Sequence, residues 1–385
     1  VAARRPVLLY VVNVAWYFCL HRLHLAQAAR DAGFEVHVAA CADTPDHARQ
    51  IEEAGFIFHP LRLRRGTWSV LGELRLSAGL RRLYREVRPQ VVHHVTIKPV
   101  LCGTLAARLA GVPAIVNSVP GLGFVFTATD RWAGLRRRMV EFAYRVLFNT
   151  RAVRVIFENQ DDLALFVSRG IVPAQRAALI RGVGVDLTRF RPGPARTGVP
   201  LIVLVARMLW DKGVREFCAA AARIKAAGLP ARLVLVGGLD PGNPAAVPQA
   251  WLEEQQRTGN IEWWGQRDDI ASIYPSADIL CLPSYREGLP TVLLEAAACG
   301  CALVTTDVPG CREVVRDGET GVLVRARDES ALTHGLRTVI EDPALRARLA
   351  ESARALVVAQ FSAAQVAEAT NRLYRELLAA TLRAA

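Results

Sequence analysis

The 385-residue chain predicts an α/β protein built from two doubly wound parallel-sheet domains. Its length exceeds that at which one core usually keeps growing, so two domains of similar size are expected. Short β-branched runs alternate with longer helical stretches, the pattern of a parallel sheet wrapped by helices on both faces. That alternation breaks once, in the Pro-, Gly- and Arg-rich stretch 186–200, and then starts again.

Taken in order, VLLYVVNVAWYFCL (7–20) is apolar but for Asn13, too short for the roughly 20 residues of a membrane-spanning helix. No small-residue cleavage site accompanies it, so its first half reads as a buried strand. A helix around 21–33, the strand EVHVAA, the helix HARQIEEAG, the strand FIFHPL and a helix ending at YREVRP follow. VVHHVT, the helix VLCGTLAARLAG and AIVNSV continue the series. Past the linker, LIVLVAR, ARLVLVGG, IEWWG, DILCLPS and ALVTTD form a second set of strands separated by helices such as GVREFCAAAARIKAAG. The expected domains are 1–195 and 196–385, with the last helix a candidate to cross back to the first. Two such domains on a short linker imply a cleft, and their ligands belong at the carboxyl ends of the strands.

With 52% apolar and 22% charged residues the chain is globular, far from the disordered regime. Its formal charge of +12 admits nucleic acid, an anionic membrane surface or phosphorylated small molecules as partners. Lys98, Lys212 and Lys225 are the only lysines, however, in a chain rich in Ala and Arg, so part of the basicity is compositional. The eight cysteines are scattered, form no C-x-x-C pair and lie largely in apolar runs. They read as reduced, buried residues of a cytoplasmic protein with no zinc site.

Two stretches carry candidate chemistry. ARMLWDKG ends the first strand of the second series, placing Arg207 and Lys212 at a strand-end loop where they could hold one anion. Taken alone, the pair fits a solvated loop as well. In SYREGLPTVLLEAAACG a strand is followed by a turn, with Pro290 suited to the first position of the next helix. That helix start, with its free N–H groups and dipole, favours phosphate. Glu287 and Glu295 would repel an anion they touched, so they are expected to accept hydrogen bonds from hydroxyls flanking it. A nucleotide-sugar, with ribose on one side of a diphosphate and hexose on the other, meets that requirement. A solvated Glu287 and a half-buried, Arg-paired Glu295 are the alternative.

Together ARMLWDKG, VLVGG, GQRDDIASIYPSADILCLPSYREGLPTVLLEAAACG and TTDVPGCREVVRDGETGVLV resemble, in order and spacing, the retaining family-four glycosyltransferases of the GT-B fold. The resemblance implies that Arg207 and Lys212 bind the donor diphosphate, that Glu287 contacts the sugar hydroxyls and that Glu295 contacts the ribose. It places the backbone of Gly288, Leu289 and Pro290 beside sugar and phosphate, Gly237 in the donor site, and Arg267, in the loop Gly265–Gln266–Arg267, beside the base. In the first domain, WYFCLHRLHLAQAARDAGFEVHVAA, HHVTIKPVLCGTLAARLAG and NSVPGLGFVFT resemble the bacterial branch that extends polyprenyl-diphosphate-linked sugars. NVAWYF stands where many members carry a Gly-Gly pair, and Val119, Pro120 and Gly121 stand where many carry a His.

The expected function is therefore transfer of a sugar, with retention, from a nucleotide-diphosphate sugar (a UDP-sugar favoured) to a lipid-linked sugar acceptor in surface glycan biosynthesis. Candidate acceptor contacts are His21, His94, Lys98 and Gly121, with His93 nearby; each is also explained by an ordinary structural role. No D-x-D sequence occurs, so neither metal nor cofactor is expected, and Arg207, Lys212 and the helix start must neutralise the departing diphosphate. In 130–148, Trp132, Leu135, Met139, Phe142 and Val146 recur at helical spacing beside Arg136, Arg137, Arg138 and Arg145. Such a helix either lies on an anionic membrane or packs on the sheet with a solvated basic face. A cytoplasmic protein peripheral to the inner membrane face is expected. The alternatives are a related GT-B epimerase or phosphorylase and a basic nucleic-acid-binding protein, for which no recognition motif is present.

Overall fold

The structure, a computed structural model, describes residues 5–61, 70–121, 133–194, 196 and 198–382. The chain divides into two compact units: Val1–Val183 with Ala364–Ala385, and Gly184–Ala363. Each is built on one all-parallel sheet.

Unit 1 holds seven strands in the order β3-β2-β1-β4-β5-β6-β7: β1 (Val7–Val14), β2 (Glu35–Cys41), β3 (Ile57–Pro60), β4 (Val91–Val95), β5 (Ala114–Val119), β6 (Val153–Phe157) and β7 (Ala177–Leu179). The order in which strands are added reverses between β1 and β4, which stay parallel, so their carboxyl ends form the switch point at which such sheets bind ligands. β4 and β5 are buried along their whole length and β1 everywhere but Asn13, which is why they read as mainly apolar runs instead of alternating ones, with His93, His94, Asn117 and Ser118 as buried polar exceptions.

The first helical stretch begins earlier than the sequence suggests. Ala15–His21 and Leu23–Asp31 are two helices separated by Arg22, whose φ of −125° interrupts the helical ladder. Arg22 is buried and donates to Glu158 Oε1 at 3.1 Å. A charge that the core accepts only when paired thus fixes the break. The final helix, Ala363–Leu382, packs in unit 1, where the Tyr374 hydroxyl lies 2.9 Å from that of Tyr10 and 2.5 Å from His93 Nδ1.

The helix Ala133–Phe148 resolves its two alternatives in a way the spacing did not show. Tyr144, Leu147 and Phe148 enter the core, with Val140 packed against it. The stripe Leu135, Met139, Phe142 and Val146 faces solvent instead, Met139 and Phe142 being 64% and 66% exposed. The helix packs on the core by one apolar face and carries a second one outward. Trp132 and the side chain of Arg136 lie outside the described residues.

Unit 2 carries six strands in the order β10-β9-β8-β11-β12-β13: β8 (Leu201–Val205), β9 (Arg232–Val236), β10 (Glu262–Trp263), β11 (Ile279–Leu282), β12 (Ala302–Thr306) and β13 (Val322–Val324). Its switch point falls between β8 and β11, the strands that lead into ARMLWDKG and SYREGLP. The helix after β11 runs over Thr291–Ala298, with Pro290 as its N-cap and not its first helical residue.

Candidate active site

The site grows from the carboxyl ends of β8 and β11. After β8 the chain passes Arg207 and makes a short 3₁₀ turn, Trp210–Lys212, closed by Gly213 at φ 74°. A Cβ on Gly213 would stand 2.2 Å from Pro283 O, so only glycine lets this turn lie against the end of the β11 segment. Tyr285 N donates to Asp211 O at 2.9 Å, tying the two loops by their backbones.

That tie brings Lys212 and Glu287 together. Lys212 Nζ donates to Glu287 Oε1 at 2.6 Å, and Ser284 Oγ donates to the same oxygen at 2.5 Å. Ser284 is buried, and its carbonyl accepts from the Thr306 hydroxyl on β12. The sequence does not show this Lys212–Glu287 contact; a Lys with three N–H donors can hold Glu287 with one and present the others to an anion. Ser284 was missed, since one serine in a loop carries no signal before its partner is known. Gly310, in the VPG turn after β12, carries no signal of a role in the sequence. At φ 81°, its absent Cβ would lie 2.3 Å from Gly288 O, so the VPG turn supports the Glu287–Gly288 backbone from below.

Beside this cluster the helix Thr291–Ala298 starts with no side chain capping its N–H groups. Leu293 N donates to Pro290 O at 3.1 Å, and the helix start, with its positive dipole end, follows directly on the Glu287–Gly288 turn. Leu289 and Pro290 are buried at that start and Gly288 is half-buried. Glu295, the fifth residue of the helix, is half-buried. Burial pushes its carboxyl up to about 7, opposed by the Tyr274 hydroxyl and the Arg189 charge.

The other donor-side candidates are placed differently. Arg207 is half-exposed and bonded to Asp240, not to Glu287 or Glu295. Gly237, at φ 149°, follows β9, and a Cβ there would overlap Ala206 O at 1.7 Å. Next to it Gly238 N donates to Gln266 Oε1 at 3.1 Å, which brings the Gly265–Gln266–Arg267 loop to the end of β9. Arg267 itself is exposed and forks onto Asp269 at 2.7 and 2.6 Å. Among the described residues no group of three or more His, Cys, Asp or Glu side chains is placed to hold a metal ion.

In unit 1 the acceptor-side candidates scatter. His94 is fully buried, with Nδ1 2.9 Å from Asn117 Oδ1 and Nε2 2.9 Å from the Tyr84 hydroxyl. Burial pushes its pKa down to about 4, so it is a neutral core residue with both ring nitrogens engaged, which corrects the acceptor-contact expectation. His93 is likewise consumed by Tyr374 and by Ser118 Oγ at 2.7 Å. Lys98, mostly buried, is ion-paired to Glu73 at 3.0 Å and so is occupied within unit 1. His21 ends the helix Ala15–His21, half-buried against the Tyr17 ring at 4.6 Å between centroids. Gly121, at φ 152°, is half-buried just past β5, and the Leu122, Gly123 and Phe124 that complete its motif lie outside the described residues.

Comparison with known proteins follows these two units. Residues 187–356 match the family described as "Glycosyl transferases group 1", and residues 7–159 match "Glycosyl transferase 4-like". The N,N'-diacetylbacillosaminyl-diphospho-undecaprenol alpha-1,3-N-acetylgalactosaminyltransferase of Campylobacter jejuni is 28% identical over 345 residues, 86% of this chain and 89% of that protein. An Escherichia coli UDP-Gal:alpha-D-GlcNAc-diphosphoundecaprenol alpha-1,3-galactosyltransferase is 24% identical over 80% of this chain and 81% of its own. The alpha-maltose-1-phosphate synthase of Mycobacterium tuberculosis is 32% identical over 75% of this chain and 79% of its own. Among solved structures, sucrose-phosphate synthase from Thermosynechococcus elongatus superposes with a TM-score of 0.79 at 21% identity, covering 98% of this chain and 100% of that one. Anabaena HepE in complex with UDP and glucose gives 0.75 at 20% identity, over 96% and 99% of the two chains. The chain belongs to the group 1, family-4-like glycosyltransferases and has the GT-B fold of two Rossmann-like domains.

Proposed function

We propose that this glycosyltransferase moves a sugar from a UDP-sugar to a sugar acceptor carried on polyprenyl diphosphate, with retention of anomeric configuration and without a metal ion. The observation that carries the donor half is the Lys212–Glu287–Ser284 cluster at the β8/β11 switch point, beside an uncapped helix start. In this reading the two remaining Lys212 donors and the first-turn N–H groups of Thr291–Ala298 bind the diphosphate, and Arg207 adds charge at the rim. Glu287, held through Oε1 by Lys212 and Ser284, turns Oε2 to the hydroxyls of the donor sugar. Glu295, further along the same helix, takes the ribose hydroxyls.

In the reaction, the acceptor hydroxyl attacks the anomeric carbon on the face from which the diphosphate departs. The bond to the phosphate oxygen breaks, and that oxygen takes the acceptor proton. Lys212 and the helix start stabilise the charge that develops on the diphosphate, which is where preorganised donors contribute most to rate. Two relatives whose names specify undecaprenyl-diphosphate-linked substrates support the acceptor class, and HepE, bound to UDP, supports the nucleotide.

A thermal-shift screen of UDP-, GDP- and ADP-sugars tests the donor half, since a ligand of the native state raises its melting temperature. UDP-sugars should give the largest shift, unchanged by EDTA. A larger shift with another nucleotide, or a shift that requires magnesium, would replace the UDP or metal-free part of the reading.

A further inference from the structure

Three helices of unit 1 stand side by side: Val70–Val87, Thr104–Ala110 and Ala133–Phe148. Arg81 donates to Leu109 O at 3.3 Å and Arg108 to Val146 O at 2.8 Å, so the short middle helix joins its neighbours. Their inner residues, among them Leu80, Tyr84, Ala107 and Tyr144, share one core. Their outer residues form an apolar surface. Leu71 and Leu74 on the first helix, Leu105 and Leu109 on the second and the outward stripe of the third are all exposed. Eight of the thirteen exposed large hydrophobic side chains among the described residues lie on these three helices. Scattered apolar residues need no explanation, but a concentration of this kind marks an interaction site.

Charge decides the partner. Arg75, Arg82, Arg85, Arg108, Arg138 and Arg145 are exposed on the same helices. The acidic residues there are Glu73, Glu86 and Glu141, and each is ion-paired: to Lys98, to Arg82, and to Arg137 and Arg169. A second copy of the chain meeting this face symmetrically would bring arginines against arginines. An anionic phospholipid bilayer supplies both the opposite charge and an apolar layer just beneath it.

We infer that this three-helix face docks unit 1 on an anionic bilayer, with Met139 and Phe142 entering the acyl boundary and the arginines at the head groups. The lipid-linked acceptor reading gives this docking its purpose, but the binding test does not depend on that reading. Flotation with vesicles of phosphatidylcholine, with and without phosphatidylglycerol, measures it, and the shift in melting temperature with UDP serves as a control for folding. The protein should float only with anionic vesicles, and less at high salt. M139S/F142S should weaken flotation by at least about tenfold, given the apolar area withdrawn from the membrane. R75S/R85S/R138S should lose the preference for anionic lipid. Flotation unchanged in M139S/F142S would overturn the inference, as would no flotation of the wild type. So would a wild-type dimer that M139S/F142S dissociates, because the occupant would then be a second copy. Vesicle binding by a protein that transfers sugar only to a water-soluble acceptor would leave the docking face intact and remove the polyprenyl reading instead.

Discussion

Replacing Lys212 by Met removes the cation that the account places on the donor diphosphate while keeping most of the side-chain volume. Lys212 has three N–H donors, of which Glu287 Oε1 takes one at 2.6 Å. A lost charge-assisted contact to phosphate is worth about 1.5–3 kcal/mol, which weakens Kd about 10- to 150-fold. The substitution also strands Glu287, left with Ser284 as partner. With the two side chains 20% and 12% exposed, this costs less stability than the roughly 3–5 kcal/mol of a fully buried pair. Adding Glu287→Gln should therefore recover part of the lost stability without restoring nucleotide affinity. Calorimetric titration with UDP and thermal melts of K212M, E287Q and the double variant measure both effects. UDP binding by K212M within about twofold of wild type would refute the phosphate role, and strictly additive melting shifts would refute the coupling.

Three further outcomes follow from other parts of the site and core. The folded chain holds the Glu295 proton more tightly than the unfolded chain, so ligand-free stability should fall as pH rises from the ordinary carboxyl range through about 7. Over the same interval UDP affinity should rise as the carboxylate forms, and Glu295→Gln should flatten both slopes in pH-dependent melts and titrations. Gly310→Ala places a Cβ 2.3 Å from Gly288 O at a φ of 81°, so kcat should drop well beyond the loss expected from a stability cost of about 1–3 kcal/mol; unchanged kcat would free the Glu287 loop from that support. Tyr374→Phe leaves His93 and Tyr10 short of a buried partner and should cost about 1–3 kcal/mol in denaturant unfolding, with nucleotide binding in unit 2 unaffected.

Much of the architecture was legible because buried parallel strands read as short, mainly apolar runs: β8 and β11 are wholly apolar, and β1, β4, β5 and β12 are so but for Asn13, His93 and His94, Asn117 and Ser118, and Thr305 and Thr306. The edge strands β7 (AAL) and β13 (VLV) are apolar, but at three residues each they are too short to tell from loop in the sequence. Arg22 could not be identified as a helix break, since its cause is Glu158, far away in sequence. In the donor loops, Glu287 and Lys212 stood out as charges near glycine turns, but their contact depends on two loops crossing at the switch point, which spacing within either loop does not contain. His94 was misread for the complementary reason. A histidine at a strand end looks available until the tertiary fold fills both of its nitrogens from Asn117 and Tyr84. The outward stripe of Ala133–Phe148 was visible as a period, but only packing tells which of two apolar faces the core takes.

The most direct test of the account is the transfer reaction itself. The purified protein is incubated with a UDP-sugar and a polyprenyl-diphosphate-linked sugar in EDTA, and the anomeric configuration of the new linkage is read by NMR. The account predicts a glycosylated lipid whose linkage keeps the donor's anomeric configuration, formed at the same rate when magnesium is supplied. A linkage of inverted configuration, or transfer that appears only on adding magnesium, would contradict the metal-free, front-face mechanism built on Lys212, Glu287 and the helix Thr291–Ala298.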